Sequence, residues 1–228
     1  SFIRFTDIFA TRMLQLFYRA WADARPIAQF DRPAQDRFAA YVGSMIGLGT
    51  APYRDRDGVP DIAKLPYAGV LGSRVKSASR LEQVLRGILG VEVEIEERKG
   101  IWLEFEDSDR SRAGLSGASL GQNTYLGARV YSINDKALIK IRTESLDDYR
   151  TFLPGGPQFQ RLADLVHFYL GDTIDFDLQL ALPATDRSPA QLGKSGQLGW
   201  TSWSAPDKAE PGEYTADATF SLHQTGAP

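Results

Sequence analysis

The sequence predicts an α+β protein: an N-terminal helical region over residues 1–76, then two similar helix-plus-antiparallel-β units over residues 77–150 and 151–228. Apolar residues recur at helical spacing in the first third of the chain, whereas strict two-residue alternation begins only after residue 90. The order helix, alternating strand, Leu-Gly pairs, alternating strand then occurs twice. With 228 residues and 43% hydrophobic content, the chain is long enough for the cores that this fold needs.

The first helix is predicted over residues 5–22, before Pro26, and its aromatic side chains lie on more than one face. Phe9 and Trp21 belong to an apolar stripe, whereas Phe5 and Tyr18 point elsewhere. A helix with apolar residues on several faces requires burial on several sides. It is therefore either a central core helix or a helix that contacts another subunit, where aromatic residues are enriched.

Two further helices are predicted in the N-terminal region. One covers residues 34–46, after Pro33, and ends near two glycines. The other covers residues 61–75 and is interrupted or kinked near Pro66, because proline removes a helical hydrogen-bond donor.

The first helix-plus-β unit opens with a helix that Ser79 and Glu82 begin as a capping box and that Gly90 ends. "VEVEIEE" alternates strictly, which predicts a half-buried strand. "RKG" forms a turn, and the segment 101–105 is predicted as the hairpin partner of that strand. A further strand is predicted around residues 137–142.

The second unit repeats this order. Pro157 begins a helix, at a position where its missing N–H costs nothing, and Gly171 ends it. "TIDFDLQLAL" and the final "ADATFSL" alternate as strands. Internal duplication and the chance similarity of two helix-plus-sheet stretches both account for the pattern. The Leu-Gly pairs that recur are Leu89-Gly90 and Leu170-Gly171 after the helices, and Leu120-Gly121 and Leu198-Gly199 in the loops.

Composition and charge exclude several classes of function. The net charge is -3 with both signs mixed, so there is no electrostatic case for binding nucleic acid or an anionic membrane. The sequence contains no run of about 18 apolar residues, so no transmembrane helix is predicted. The absence of cysteine excludes disulfides and thiolate metal sites. The sequence opens without Met, in an aromatic-rich amphipathic pattern, and has no signal-peptide pattern, so we expect that an N-terminal part is missing.

Two motifs suggest ligand binding and fail on inspection. "GKS" at residues 193–195 ends a phosphate-binding loop only if glycine stands at position 188, where this chain has Ser188. "RDRDGV" is part of a calcium-loop pattern, but Tyr53 and Lys64 occupy its first and twelfth ligand positions and cannot complete an oxygen cage. A charged surface loop is predicted there instead.

The remaining titratable residues give no catalytic pattern. His167 and His223 are the two histidines, and neither stands in a metal-binding or triad motif. The carboxylates that alternate along the strands, at positions 92, 94 and 96 and at 175 and 177, are predicted to form solvated faces. We therefore predict no catalytic, cofactor-binding or metal-binding residue, and no cofactor.

Several strings of the sequence, in this order, resemble the TssG family of the bacterial type VI secretion system, also called ImpH or VasB. They are "LFYRAW", "YAGVLGSRVKSASRLEQVL", "LGARVY", "YRTFLPGG" and "LGWTSW". The resemblance extends from about Phe5 to Trp203. Family members begin with a stretch absent here, and the segment after Trp203 matches less well.

The resemblance implies a scaffold and not an enzyme. TssG-like proteins are structural wedge subunits of the cytoplasmic baseplate, where they bind two copies of TssF, contact TssE and recruit TssK trimers. TssK links the baseplate to the inner-membrane complex. The baseplate is the platform on which the contractile sheath and tail tube of this injection machine assemble.

We predict that the two Leu-Gly regions, residues 115–126 and 192–203, present similar apolar surfaces and that each engages one TssK trimer. Apolar anchors would enter a partner groove, while glycines let the two backbones approach closely. Trp200 and Trp203 are either core or interface residues. The candidate partner-binding residues are Leu115, Leu120, Tyr125, Leu126, Leu192, Leu198, Trp200, Trp203, Phe5 and Tyr18.

The alternative function is a non-enzymatic module for a small ligand or carbohydrate, with Trp200, Trp203 and the glycine-rich loop as a stacking platform. An enzyme is the third interpretation. A complex that co-elutes with TssF supports the scaffold, whereas a change of tryptophan fluorescence on adding sugars supports the module.

Overall fold

The computed structural model describes residues 2–31, 36–112, 114–115, 117, 119–122, 124–125, 127–187, 189–190, 196–197, 199–203 and 212–222. The chain divides into two compact units, an N-terminal unit, Ser1–Arg74, and a C-terminal unit, Val75–Pro228. The first is helical and the second combines helices with β-strands, which confirms the predicted α+β class and its N-terminal helical region. Internal duplication is not confirmed and stays a prediction.

The described part of the N-terminal unit contains one long helix and several short ones. The predicted break near Pro66 is confirmed, because a 3₁₀ turn, Leu65–Tyr67, separates two one-turn helices. The second predicted helix begins later than expected, since Asp36 Oδ1 accepts a hydrogen bond from Ala39 N at 2.9 Å and so caps the helix start. The helices are α1 Phe2–Asp23, α2 Pro26–Phe30, α3 Arg37–Ser44, α4 Asp61–Lys64 and α5 Ala68–Leu71, with a further 3₁₀ turn at Ala51–Tyr53.

The C-terminal unit contains a mixed sheet. Of its described strands, four form one sheet in the order β1-β4-β5-β6, and β2 and β3 form a separate antiparallel ribbon. In the larger sheet β4 and β5 are parallel, and the two outer pairings are antiparallel. The elements are α6 Ala78–Leu89, β1 Glu92–Glu96, β2 Ile101–Glu104, β3 Arg129–Ser132, β4 Lys136–Arg142, α7 Leu146–Thr151, α8 Pro157–Leu170, β5 Asp175–Pro183 and β6 Tyr214–Ser221.

The predicted hairpin between the first two strands is wrong. Strand β1 pairs with β4, and β2 pairs with β3. Charge explains the choice of partner. Glu92 lies opposite Arg142 and Glu94 opposite Lys140, whereas β2 offers no basic residue to β1.

The predicted capping box at Ser79 and Glu82 is also wrong. Helix α6 begins at Ala78 after Ser77, so Glu82 lies more than one turn inside the helix, beyond the reach of its first N–H groups. Its carboxylate performs a different task. Glu82 Oε1 accepts a hydrogen bond from Ile95 N at 2.8 Å and so joins α6 to strand β1.

The main core lies between the larger sheet and the helices packed against it. Helix α6 contacts both β1 and α8, and α7 contacts β5. The predicted ends of the helices are confirmed: Pro157 stands at the first position of α8, and Gly90, at φ 71°, ends α6 in the left-handed conformation. Side chains that are buried in this core include Leu81, Val84, Leu85, Val93, Ile139, Ile141, Phe159, Leu162, Leu165, Phe176, Leu178 and Leu180.

Candidate partner-binding surfaces

Helix α1 exposes its apolar side chains to water. All its residues belong to the described part of the chain, and none of them is buried. Phe9 is 56% exposed and Trp21 43% exposed, although both belong to the predicted core stripe. The interpretation of α1 as a central core helix of this chain is therefore wrong. Its exposed large apolar side chains are Phe2, Ile3, Phe5, Ile8, Phe9, Met13, Leu14, Leu16, Phe17, Tyr18 and Trp21.

The aromatic side chains of α1 contact one another at its two ends. Phe5 and Phe9 meet edge to face, with ring centroids 5.0 Å apart. Tyr18 stacks on Trp21 at 5.9 Å, and the Arg25 guanidinium lies 4.9 Å from the centre of the Trp21 ring. At 3.6 residues per turn, Phe5 and Trp21 point about 160° apart around the helix axis. The helix thus presents aromatic side chains to two directions at once.

A second apolar surface in the N-terminal unit is a groove of about 780 Å³. Phe30 and Phe38 are each about half exposed beside it, at 59% and 48%. Arg25 and Asp36 add opposite charges to its lining. We did not predict this groove, because its walls come from three short helices whose packing no local pattern reveals. Its apolar lining consists of Pro26, Ile27, Phe30, Phe38, Ala39, Val42, Ile62, Leu65 and Pro66.

The two described leucines of the first Leu-Gly region are open to solvent. Leu115 is 83% exposed and Leu120 93% exposed. Tyr125 is held more firmly, since its backbone N donates to Ser111 Oγ at 2.9 Å and its ring lies 5.0 Å from Phe105. The fourth predicted residue, Leu126, lies outside the described residues.

The ribbon of β2 and β3 carries an aromatic pair that sequence reasoning missed. Trp102 and Tyr131 lie opposite each other in the register, with ring centroids 5.3 Å apart, and both are more than half exposed. Trp102 stands between Ile101 and Leu103, so alternation places it on the outer face. The pairing with Tyr131 depends on the contact between β2 and β3. The predicted hairpin pairs β2 with β1 instead and therefore does not include this contact.

The second Leu-Gly region is anchored to the C-terminal unit. Trp200 and Trp203 are both half-buried. The Trp200 ring meets Phe220 edge to face at 5.7 Å, and Trp203 Nε1 donates to Asp217 Oδ2 at 3.1 Å. Each tryptophan thus packs on its own unit on one side, so neither the core nor the interface interpretation describes it fully. Leu192 and Leu198 lie outside the described residues.

Tyr149 lies beneath this second region and is 1% exposed. Its hydroxyl donates to the backbone oxygen of Trp200 at 3.3 Å, and its ring is 6.4 Å from that of Trp203. Burial, and then the nearby Asp217 carboxylate, raises the pKa of Tyr149 to about 12. The phenol is therefore a stable neutral donor over the whole physiological range.

The charged loop predicted from "RDRDGV" is mostly exposed, and the buried lysine Lys64, which follows it, pairs with one of its carboxylates. Lys64 is 1% exposed, and its Nζ lies 2.6 Å from Asp57 Oδ2 and 3.0 Å from Asp61 Oδ1. The lysine at the twelfth position thus pairs with two carboxylates and offers no oxygen ligand for calcium.

The glutamates at positions 92, 94 and 96 are exposed, as predicted, and also form ion pairs, whereas Asp175 and Asp177 are only partly exposed. Lys140 Nζ lies 3.0 Å from Glu96 Oε2, and Lys136 Nζ lies 2.8 Å from Asp177 Oδ2. The hydrogen bond from Lys140 lowers the pKa of Glu96, and the same bond raises the pKa of Lys140. His167 is an exposed residue whose Nδ1 lies 2.9 Å from Asp172. His223 lies outside the described residues.

Two further findings bear on the class of protein. Among the residues that the structure describes, no group of three or more His, Asp or Glu side chains could hold a metal ion. Within the same residues, no helix has the length and apolar character needed to cross a membrane. Large apolar side chains in contact with solvent are the prominent surface feature, and such patches mark protein–protein contact sites. The fold and its surfaces thus define a class: α+β proteins with large apolar side chains exposed to solvent.

The chain belongs to the TssG family of type VI secretion. The family model described as "Type VI secretion, TssG" matches residues 1–205. No curated protein sequence matches the chain.

Solved structures share the fold. A chain from the type VI secretion system TssK-TssF-TssG baseplate subcomplex, determined by cryo-electron microscopy, superposes with a TM-score of 0.76 at 21% identity. That match covers 97% of this chain and 95% of the other. A chain from the baseplate complex of the type VI secretion system superposes with a TM-score of 0.61 at 24% identity, over 98% of this chain and 64% of the other.

Proposed function

We propose that this chain is a structural wedge subunit of the type VI secretion baseplate. It would scaffold TssF, TssE and TssK in the cytoplasm while the contractile sheath and tube assemble, and it would act by binding and not by catalysis. The observation that carries the proposal is helix α1, which has 22 residues and buries none of them. Membership of the TssG family and the shared fold with chains of two baseplate structures support the same function.

The two-sided character of α1 supports a binding site for TssF. Phe5 and Trp21 point about 160° apart, so one flat partner surface cannot cover both. Two helices, one from each of two TssF copies, can cover opposite faces of α1. Burial of a Phe or Trp side chain contributes about 1.5–3 kcal/mol, so several such residues make this helix a large source of binding energy.

The two Leu-Gly regions are the proposed sites for TssK trimers. Leu115 and Leu120 are apolar side chains that almost nothing in the described chain covers, as expected for anchors that enter a partner groove. Trp200 offers the exposed remainder of a half-buried ring. The docking of TssK through these regions would connect the baseplate to the inner-membrane complex.

The TssF site is tested by placing a charge on α1. Phe9→Asp and Trp21→Asp are each co-expressed with TssF and analysed by size-exclusion chromatography with light scattering. Each variant should lose the TssF copy that covers its own face, because an aspartate at a buried contact must be desolvated or leave the interface open. Gln15→Asp is the matched control, since it adds the same side chain to the polar face of the same helix. Retention of TssF by the Phe9 and Trp21 variants at the control level would refute this site.

The TssK sites are tested by counting bound TssK in native mass spectrometry. Leu120→Asp should remove one trimer and Trp200→Asp the other, while TssF stays bound. Unchanged stoichiometry in folded variants would contradict the assignment.

The carbohydrate-binding alternative is weaker, because Trp200 and Trp203 direct part of their ring surface toward Phe220 and Tyr149. Titration with sugars, followed by tryptophan fluorescence, distinguishes it from the scaffold.

A further inference from the structure

The segment Gly199–Trp203 is fixed at several points by groups outside it. Tyr149 Oη donates to the Trp200 backbone oxygen at 3.3 Å, and Asp217 accepts from Trp203 Nε1 at 3.1 Å. Ala190 N donates to the Trp203 oxygen at 2.9 Å. These contacts come from α7, from β6 and from the chain just before the segment. Together they attach the backbone at Trp200 and Trp203, and the Trp203 ring, to the C-terminal unit.

The segment is also closed on itself. Thr201 is 8% exposed, its N donates to Gln197 O at 2.9 Å, and its hydroxyl accepts from Gln197 N at 2.9 Å. Gly199 has φ 82°, a conformation in which most other residues are strained. The turn therefore has a defined conformation, and the hydrogen bond from Tyr149 to Trp200 connects it to helix α7 of the C-terminal unit.

Tyr149 itself is too deeply buried to contact a partner. Only 1% of it is exposed, yet its hydroxyl and its ring reach Trp200 and Trp203 respectively. A residue in such a position influences binding only by ordering the surface above it. Ordering before the encounter matters because the apparent dissociation constant rises as the binding-competent fraction of the free protein falls.

We infer that Tyr149 is a positioning residue: it holds the Trp200–Trp203 surface in its binding-competent conformation before TssK binds. Asp217 contributes by accepting the hydrogen bond from Trp203 Nε1. This inference depends on the proposed function for that surface. Loss of the Tyr149 hydroxyl should lower the association rate constant for TssK about tenfold and leave the dissociation rate constant nearly unchanged, because the bound state keeps its contacts.

The experiment uses the full chain in complex with TssF, with Leu120→Asp present in every variant so that only the TssK site at Trp200 and Trp203 is measured. Tyr149→Phe removes the hydroxyl and keeps the ring. Hydrogen–deuterium exchange of peptides that cover residues 196–203 is measured without TssK, and association and dissociation with TssK are measured by biolayer interferometry. The expected result is faster exchange in these peptides together with the slower association.

Tyr169→Phe is the matched control. Tyr169 is another buried tyrosine of the same unit, 3% exposed, and its hydroxyl also bonds to backbone, at Ser77. This variant should leave exchange at residues 196–203 and TssK association unchanged. If it slows association as much as Tyr149→Phe does, the effect is a general loss of stability and the inference is wrong.

Asp217→Ala keeps the test decisive if Tyr149→Phe does not fold. Asp217 is an exposed residue, so its replacement is tolerated more easily, and the loss of the Trp203 acceptor should raise exchange in the same peptides. Unchanged exchange or unchanged association in the folded variants overturns the inference. Trp200→Asp separates the two proposals: if it leaves TssK binding intact, the proposed function of this surface fails, whatever the positioning variants show.

Discussion

Replacing Asp61 tests whether the buried ion pair stabilises the N-terminal unit. Asp61 Oδ1 lies 3.0 Å from Lys64 Nζ, and the two side chains are 19% and 1% exposed. The other carboxylate oxygen accepts a hydrogen bond from Asp55 N at 2.9 Å. Asp55 has φ 50°, a conformation that is uncommon for residues other than glycine although aspartate tolerates it, and this hydrogen bond stabilises the loop in that shape.

The expected loss follows from these two contacts. Asp61→Ala removes two charge-assisted hydrogen bonds to the same carboxylate, one from Lys64 Nζ and one from Asp55 N, each worth about 1.5–3 kcal/mol. Because Asp57 still neutralises Lys64, the cost of an isolated buried charge is avoided, and we expect a loss of about 3–6 kcal/mol in unfolding free energy. Asp61→Asn keeps an acceptor for Asp55 N, loses the ionic bond to Lys64, and should lose about 1.5–3 kcal/mol.

The chain supplies a matched control in the C-terminal unit. Asp147 and Arg150 have the same spacing along a helix and the same 3.0 Å distance, but their side chains are 91% and 54% exposed. Asp147→Ala should therefore lose at most about 1 kcal/mol.

Native-state hydrogen exchange measures the two units separately, through peptides that cover residues 55–71 and 146–170. The reasoning is refuted if Asp61→Ala and Asp147→Ala destabilise their own units equally. It is also refuted if Asp61→Asn costs as much as Asp61→Ala, because the contact with Asp55 would then contribute nothing.

Three further predictions concern the C-terminal unit. Glu82→Ala should lose about 1–2 kcal/mol in urea denaturation, because Ile95 N loses its acceptor, and Glu82→Gln should restore most of it. Gly156→Ala should cost about 2–3 kcal/mol, since a Cβ there would lie 2.2 Å from the backbone oxygen of Thr151; a thermal melt within 1 °C of the parent would contradict this. Burial raises the pKa of Tyr149 to about 12, so the stability that its neutral form contributes is complete below pH 10 and is lost as the pH rises toward 12. The free energy of unfolding of the parent protein, measured from urea midpoints, should therefore fall between pH 10 and 12, and Tyr149→Phe should remove the share of this fall that Tyr149 causes.

The sequence predicted helices and strands well where proline, glycine and alternation mark them. Helix α8 begins at Pro157 and ends before Gly171 as expected, because these residues act through their own backbone geometry. Pairing was harder to predict. Alternation shows which face of a strand is buried but not which strand lies beside it, so β1 was joined to β2, although its glutamates lie opposite Lys140 and Arg142 of β4.

The candidate surfaces show the same limit. The aromatic residues on two faces of α1 were readable from the sequence, because a helix repeats at a fixed angle. Whether those faces are covered was not readable, since burial depends on elements far away in the chain. The Trp102–Tyr131 pair and the groove beside Phe30 and Phe38 were missed for this reason, as each is assembled from separate segments.

The exposed apolar length of α1 also affects how the cell can supply this protein. Eleven large apolar side chains open to water make a newly made chain a substrate for chaperones and proteases, and prone to self-association, until something covers the helix. The steady-state amount of the folded chain is then limited by the amount of the partner protein that covers α1. Overproduction of this chain alone would increase turnover and aggregation and leave the usable pool almost unchanged.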